Sequence, residues 1–292
     1  MTLEPTYKNN QTETPHRLTF SAPSSVISHI PTSGPLSIIL DKDGTLDPKV
    51  TKREEARVAT EVVEQIQRLI ALDDVDVALI SGRSVVELRE LVGQLPINYY
   101  GLHGAEGGRG DMTSLFLSPD KEIDQKVALF SDQFRLALRD TNVWSPELEV
   151  SICEEKEGKG FAVHWRACPN LEASIENLFM EIWQAFPHKQ DFHIQNGDCV
   201  IELKLPSSKG DALAHYLSQK ESGSGERGHI LVIGDDETDI SMMKIAQSSA
   251  LTSTVVIVEN LHLTMPGALY VSSPVEVFQI LTGIADQRNA AT

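Results

Sequence analysis

The segment Ser37-Ile38-Ile39-Leu40 followed by Asp41-Lys42-Asp43-Gly44 constrains this chain more than any other. An apolar run of strand length, closed by a turn residue, reads as a central strand of a parallel sheet, and ligands gather at the carboxyl ends of such strands. Alternate side chains of an extended segment share a face, so Asp41 and Asp43 address one substrate group from the same side. One carboxylate can attack phosphorus and become an aspartyl phosphate. The other can protonate the departing oxygen and later take a proton from water. An acidic turn after a strand is the competing reading, because Asp and Gly are ordinary turn residues.

Three further segments weigh against the plain turn. Ile230-Leu231-Val232-Ile233 is a second apolar strand, and it ends in Gly234-Asp235-Asp236-Glu237-Thr238-Asp239. Carboxylate oxygens are hard ligands suited to magnesium, which takes one or two protein carboxylates plus waters and phosphate. One of these acids can instead cap the following helix, and the two roles can coexist. Lys209, at the start of a helix after Pro206-Ser207-Ser208, offers a compact positive charge to a phosphate. Ser81 and Gly82, at the end of strand Val75 to Ile80, offer a hydroxyl and the amides of a strand-to-helix turn. Taken singly, a solvated lysine or a helix-capping serine explains each of these.

Taken in order, the four blocks resemble the haloacid dehalogenase superfamily of phosphotransferases: an Asp-x-Asp-Gly-Thr loop, a Ser at a strand end, a Lys, and a Gly-Asp-Asp-x-x-Asp loop. The resemblance implies Asp41 as nucleophile, Asp43 as general acid and base, and Ser81, Gly82 and Lys209 as phosphate contacts. It also implies a Mg2+ site that draws on Asp41, the backbone carbonyl of Asp43, and Asp235, with Asp236 and Asp239 beside it.

Composition limits the partners. With 42 acidic against 25 basic residues, the net charge of -17 disfavours nucleic acid and anionic membranes, which most of the surface would repel. No stretch reaches the roughly 18 consecutive apolar residues of a membrane span. Cys153, Cys168 and Cys199 are odd in number and lack metal-ligand spacing, which suits a reducing compartment such as the cytoplasm. Residues 1–35 are rich in Thr, Ser, Pro and Asn with little apolar periodicity, and read as a flexible tail without a secretory signal.

The rest of the chain divides by pattern. Alternating α/β units run through strand Ser37 to Leu40, a helix around Glu54 to Leu72, strand Val75 to Ile80, helix Val85 to Val92 and strand Asn98 to Gly101. They resume with helix Ala212 to Leu217, strand Ile230 to Ile233, helix Asp239 to Ala246, strand Ser253 to Val258 and helix Val275 to Ile284. Between them the order changes: helix Glu122 to Arg139, strands Glu149 to Glu154 and Phe161 to Arg166, helix Leu171 to Phe186, and strands Phe192 to Gln195 and Cys199 to Leu203. The expected fold is therefore α/β: a haloacid dehalogenase-like, Rossmannoid core with a parallel sheet (36–116 and 204–292) and an inserted α+β cap domain (117–203). Such a cap could close on substrate, exclude water and set specificity.

Within 36–285 the chain also resembles a narrower family, the trehalose-phosphate phosphatases. The blocks are Leu79-Ile80-Ser81-Gly82-Arg83, Gly101-Leu102-His103-Gly104-Ala105-Glu106, Phe161-Ala162-Val163-His164-Trp165-Arg166, Val200-Ile201-Glu202-Leu203-Lys204 and Gly234-Asp235-Asp236-Glu237-Thr238-Asp239. This resemblance implies a phosphatase for trehalose 6-phosphate in trehalose biosynthesis, with Glu154, Lys156, Arg166 and Glu202 on the sugar. The sequence departs from the family at Lys42, where an aromatic or aliphatic residue is usual, and at Trp165, usually Tyr. A hairpin turn one residue longer leaves Glu155 or Glu157, with Lys159, as alternative sugar contacts. Two other activities stay open: a phosphatase for another glycoside, such as glucosylglycerol phosphate or sucrose phosphate, and a non-catalytic sugar-phosphate-binding regulator whose partner is the trehalose-phosphate synthase.

Overall fold

β-Branched residues and leucine fill the segments that become central strands, and both faces of those strands are buried, as a parallel sheet requires. The computed structural model describes residues 19–50, 55–110, 112, 115–117, 122–142, 144–155, 159–197, 199–220 and 228–291. In chain order, the first part comprises α1 (Pro23–Ile27), β1 (Leu36–Leu40), α2 (Thr60–Ile70), β2 (Val75–Ile80), α3 (Val85–Val92), β3 (Asn98–Gly101), β4 (Glu106–Arg109) and β5 (Leu115–Leu117). The middle comprises α4 (Ile123–Arg139), α5 (Pro146–Ile152), β6 (Cys153–Glu155), β7 (Phe161–His164), α6 (Glu172–Ala185), β8 (His193–Gly197) and β9 (Val200–Lys204). The last part comprises α7 (Lys209–Lys220), β10 (His229–Gly234), α8 (Ile240–Ser248), β11 (Thr252–Val258), β12 (Leu269–Val271) and α9 (Pro274–Ala291).

One sheet has eight strands in the order β12-β11-β10-β1-β2-β3-β4-β5. It is parallel from β12 to β3 and antiparallel from β3 to β5. The chain leaves β1 toward β2 and β3 and reaches the other side of β1 only when β10 is laid down. That reversal is a topological switch point, the place where an α/β sheet opens a crevice beyond its strand ends. Successive β1 side chains feed two different cores. Ile38 and Leu40 pack with α1, α2, α3 and α9, whereas Ile39 packs with α7 and α8. The result is a three-layer arrangement with helices on both faces.

A second sheet, β6-β7-β9-β8, is antiparallel throughout. Phe161, Val163, Ile201 and Leu203 point to one face and bury against Phe130 and Phe134 of α4 and Phe179 of α6. Phe130 stands in edge or tilted contact with Phe161, Phe179 and Phe186, at centroid separations of 6.0, 4.9 and 5.1 Å. The opposite face carries polar side chains, as one wet face of an antiparallel sheet does.

Several segments differ from the sequence expectation. The strand expected over Glu149 to Glu154 is mostly helix α5, with only Cys153–Glu155 extended. Ser145 caps α5 by accepting the Leu148 amide at 3.1 Å, Pro146 occupies the first turn, and Glu149 is fixed by Arg139 at 2.8 Å and Trp144 at 2.9 Å. Those anchors outweigh the strand preference of Val150, Ile152 and Cys153. Strands β4, β5 and β12 escape the sequence pattern because they are short and peripheral, and β4 contains Gly107 and Gly108. The stretch expected as a tail contains α1, whose Val26 is fully buried against the core around α9. Arg288 of α9 reinforces that contact by donating to the carbonyls of Pro31 (2.8 Å) and Gly34 (3.0 Å). Val26→Ala should therefore lower stability by about 1–2 kcal/mol, the worth of two buried methyl-sized groups. Urea unfolding with an unchanged midpoint would show that α1 is not part of the cooperative unit.

Candidate active site at the switch point

Strands β1 and β10 end side by side. Leu40 pairs with Ile233, and the Asp41 amide donates to the Ile233 carbonyl at 3.0 Å. Asp41 and the loop Gly234-Asp235-Asp236 therefore leave the sheet together.

Lys209 reaches the same point from α7. Ser208 and Asp211 form a capping box: the Ser208 hydroxyl accepts the Asp211 amide at 3.2 Å, and the Ser208 amide donates to Asp211 Oδ2 at 2.9 Å. This starts the helix at Lys209 and aims its buried ammonium inward. Nζ donates to Asp41 Oδ1 at 2.7 Å and to Asp239 Oδ1 at 2.6 Å. The other oxygen of Asp239 accepts the amides of Asp235 (2.8 Å) and Asp236 (3.0 Å), so this side chain braces the whole loop. Its carboxylate lies against Gly234, where a Cβ would collide with it.

Asp235 is closed in from the other side. Gly44 has φ +94°, and a Cβ there would stand 2.5 Å from Asp235 Oδ2, so glycine serves both the turn and the close approach. Asp235 Oδ2 lies 2.6 Å from Nζ of the half-exposed Lys49, while buried Asp235 Oδ1 has no hydrogen-bond partner among the described residues. Asp41, Asp235 and Asp239 place carboxylate oxygens within 4.8 Å of one another. An orphaned buried carboxylate oxygen in such a group fits a hard divalent cation. Asp236 stands beside the group with Oδ1 accepting from the amide and hydroxyl of Thr238 at 2.9 and 2.6 Å.

Burial dominates the acidities here. It pushes Asp41 and Asp239 up to about 7 and Asp235 up to about 6, against the partly compensating cations Lys209 and Lys49. Burial also opposes the Lys209 charge, but Asp239 and Asp41 outweigh it and hold the ammonium above its ordinary range.

Asp43 has a different environment. Arg83 grips it with Nε to Oδ2 at 2.7 Å and Nη2 to Oδ1 at 2.9 Å, and Lys42 Nζ donates to Oδ1 at 2.8 Å. Burial raises its pKa, but the hydrogen bonds from Arg83 and Lys42 prevail and hold it below the ordinary carboxylate value. Its carboxylate is thus held by other cations than the Asp41, Asp235 and Asp239 group, which Lys209 and Lys49 serve. Ser81 is buried at the end of β2, with Oγ accepting the Arg83 amide at 3.2 Å. A Cβ on Gly82 would lie 2.6 Å from His103 Nε2, so the imidazole rests directly on this turn. His103 and its neighbour Leu102 both have left-handed backbones, φ 55° and 50°, held by hydrogen bonds to the carbonyls of Ser81 and Arg83.

Two cavities meet at these residues. A recess of about 190 Å³ is lined by Asp41, Asp43, Lys49, Ser81, Gly82, Arg83, His103, Lys209, Asp236 and Thr238. A larger one of about 520 Å³ shares His103, Lys209 and Thr238 and extends to His193, Gln195 and Lys204 on the second sheet. Cross-strand pairing puts Glu154, Ala162, Glu202 and Gln195 in one row on that polar face. Glu154 is hydrogen-bonded to His164 Nε2 at 2.7 Å. Glu202 thus shares a face with a cavity-lining residue, although neither it nor Glu154 lines the cavity itself. Arg166 lies exposed in the turn after β7. Lys156 and Glu157 lie outside the described residues, and Lys159 pairs with Asp124 of α4.

Sequence reasoning left Lys49, Arg83 and His103 without roles, and gave none to His193 or Gln195. Arg83 and His103 sat inside quoted blocks, so a signal existed. Lys49 carried none, because its place beside Asp235 depends on the return of the chain after Gly44.

The fold is shared with a haloacid dehalogenase-like hydrolase from B. subtilis, at a TM-score of 0.52 and 15% identity over 84% of this chain and 98% of that one. It is shared more closely with the C-terminal domain of C. albicans trehalose-6-phosphate phosphatase, at a TM-score of 0.70 and 18% identity over 94% of this chain and 99% of that one. Fold and sequence together define a phosphatase of the haloacid dehalogenase superfamily. The family model Trehalose-phosphatase matches residues 39–265, and the chain is 32% identical to the trehalose-6-phosphate phosphatase of Escherichia coli over 69% of its own length and 70% of that protein. A bifunctional trehalose-6-phosphate synthase/phosphatase from Thermoproteus tenax is 28% identical over 75% of this chain, which spans 28% of that protein. The chain belongs to the trehalose-phosphatase family.

The raised acids predict a pH dependence of stability. Their folded-state values lie above the ordinary 3.8, so between about pH 4 and 7 the native state binds protons that the unfolded chain has released. Their contribution to stability therefore falls as pH rises through that window. The chelated protein should melt at a lower temperature at pH 7.5 than at pH 5, and a divalent cation that binds the cluster should narrow the gap. A chelated protein that becomes more stable over that range would contradict this electrostatic picture.

Proposed function

We propose that this chain is a magnesium-dependent phosphatase that hydrolyses trehalose 6-phosphate to trehalose and inorganic phosphate through an aspartyl-phosphate intermediate. The observation that carries the reading is the placement of Asp41: at the switch point, ion-paired to Lys209, and opening into a phosphate-sized recess that continues into a sugar-sized cavity.

In this reading the substrate phosphate lies in the recess among Ser81, the Gly82 turn, Lys209 and Arg83. An Asp41 carboxylate oxygen attacks phosphorus as the bond from phosphorus to the sugar oxygen breaks, and Asp43 gives that oxygen its proton. Water then attacks phosphorus, Asp43 takes a proton from it, and the Asp41 oxygen leaves, releasing phosphate. Asp41, Asp235 and the Asp43 backbone carbonyl would hold a magnesium ion, which when bound offsets the repulsion between anionic phosphate and anionic nucleophile. Asp239, with both oxygens engaged, positions Lys209 and the loop, and Asp236 lies alongside. Lys209 remains charged throughout and stabilises the phosphoryl group electrostatically.

The segment from α4 to β9 acts as the cap in this account. Its polar face, with Glu154, His164, His193, Gln195, Glu202 and Lys204, supplies paired donors and acceptors for sugar hydroxyls, and a site built to use such groups rejects ligands that lack them. Arg166 stands near its rim. The three cysteines are free, which fits a cytoplasmic enzyme of trehalose biosynthesis. The fused synthase of the Thermoproteus relative makes a trehalose-phosphate synthase the natural partner to test.

Phosphate release tests the substrate. The purified chain with magnesium should prefer trehalose 6-phosphate over glucose 6-phosphate, sucrose 6-phosphate and glucosylglycerol phosphate, lose activity in chelator, and lose it in Asp41→Asn with the fold intact. Preference for another glycoside would overturn the substrate assignment. Magnesium-free turnover would overturn the metal, and no turnover on any of them would favour a sugar-phosphate-binding regulator.

A further inference from the structure

Lys42 stands between the two aspartates where the family usually has an apolar or aromatic residue, and its side chain is completely buried. A lone ammonium there would be strongly disfavoured, and the loop supplies its partner. Asp47, itself buried, takes Nζ with both carboxylate oxygens at 2.9 Å. The backbone fixes that pairing, because the amides of Thr45 and Leu46 donate to the Lys42 carbonyl and the Gly44 amide donates to the Asp47 carbonyl. A purely structural ion pair would end there. The third hydrogen bond of Nζ goes instead to Oδ1 of Asp43, at 2.8 Å.

We infer that Lys42, locked by Asp47, is a positioning residue that anchors Oδ1 of Asp43 and leaves Oδ2 as the oxygen that transfers the proton. The inference rests on the reading of Asp43 as general acid and base. The two cations on Asp43 differ in freedom. Arg83 lines the phosphate recess, so an entering phosphate competes with Asp43 for its guanidinium. Lys42 does not line it, and the two oxygens of Asp47 keep it in place. When Arg83 turns to the substrate, Oδ2 loses its Nε partner while Oδ1 keeps Lys42. The carboxyl group then has one fixed oxygen and one oxygen available to the leaving group.

A positioning role for proton transfer leaves a mark that a folding role does not. A sugar oxygen departs poorly without a proton, whereas 4-nitrophenolate departs readily as an anion. In Lys42→Met, kcat/KM for trehalose 6-phosphate should fall about ten- to hundred-fold, within the range of a general acid displaced from its geometry. The fall for 4-nitrophenyl phosphate should be at least about ten-fold smaller. The double variant Lys42→Met with Asp47→Asn removes both buried charges, so it tests the same selectivity if the single variant leaves Asp47 uncompensated and unfolded. In an Asp43→Asn background, adding Lys42→Met should lower kcat/KM no further. Parallel losses on both substrates, or an additional loss in the Asp43→Asn background, would overturn the inference while leaving the functional reading intact. A wild-type chain that hydrolyses neither phosphate would overturn both.

Discussion

The buried ammonium of Lys209 holds the rest of the site together. Three segments far apart in sequence meet on it: the end of β1 through Asp41, the loop after β10 through Asp239, and the start of α7. Each carboxylate alone would be strongly disfavoured at that depth, and so would the ammonium. Together they satisfy one another at hydrogen-bonding distance. Removing the ammonium would leave two buried carboxylates without it, a change that costs about 3–5 kcal/mol when one partner of a buried pair is lost. The same electrostatics leave the acids short of positive charge. Lys209 serves two carboxylates, Lys49 reaches Asp235 from a half-exposed position, and one Asp235 oxygen has no partner among the described residues. That shortage is what recommends the cluster for a divalent cation.

The two sheets divide the work by their strand patterns. In the parallel sheet both faces are apolar, so chemistry is confined to the strand ends, where Asp41, Ser81 and Asp235 follow β1, β2 and β10. In the antiparallel sheet only one face is apolar, and the other presents Glu154, Glu202, Gln195, His193 and Lys204. The larger cavity joins that polar face to the strand ends through His103 and Lys209. On our reading, reaction and recognition thus reside on different sheets, and a change in the polar face can alter the substrate without disturbing the chemistry.

Much of this was legible in the sequence. The strand-ending acids, Ser81 and Lys209 were visible because apolar runs mark central strands and the residues just after them fall at one edge of the sheet. The polar face was visible as alternation along Val200 to Lys204. What escaped depends on three-dimensional return. Helix α5 looked like a strand because the Arg139 and Trp144 groups that fix Glu149 lie outside its own sequence window. Helix α1 looked like tail because its only fully buried residue, Val26, gains meaning from α9 some 250 residues later. Asp41 and Asp43 line one recess, as their spacing suggested, but the grip of Arg83 and Lys42 on Asp43 carried no sequence signal, because those contacts form only where β2 and the turn at Gly44 come together. The departure at Lys42 was visible from the start, but its partner Asp47 was not.

The mechanism proposed here depends most on Asp41 being the nucleophile that accepts the phosphoryl group. Its most direct test is to quench the magnesium-loaded enzyme during turnover, reduce with borohydride, and map the digested protein by mass spectrometry. An acyl phosphate at Asp41 is converted to homoserine, so the account predicts that change at position 41. Reduction at another carboxylate, or none during sustained turnover, would contradict it.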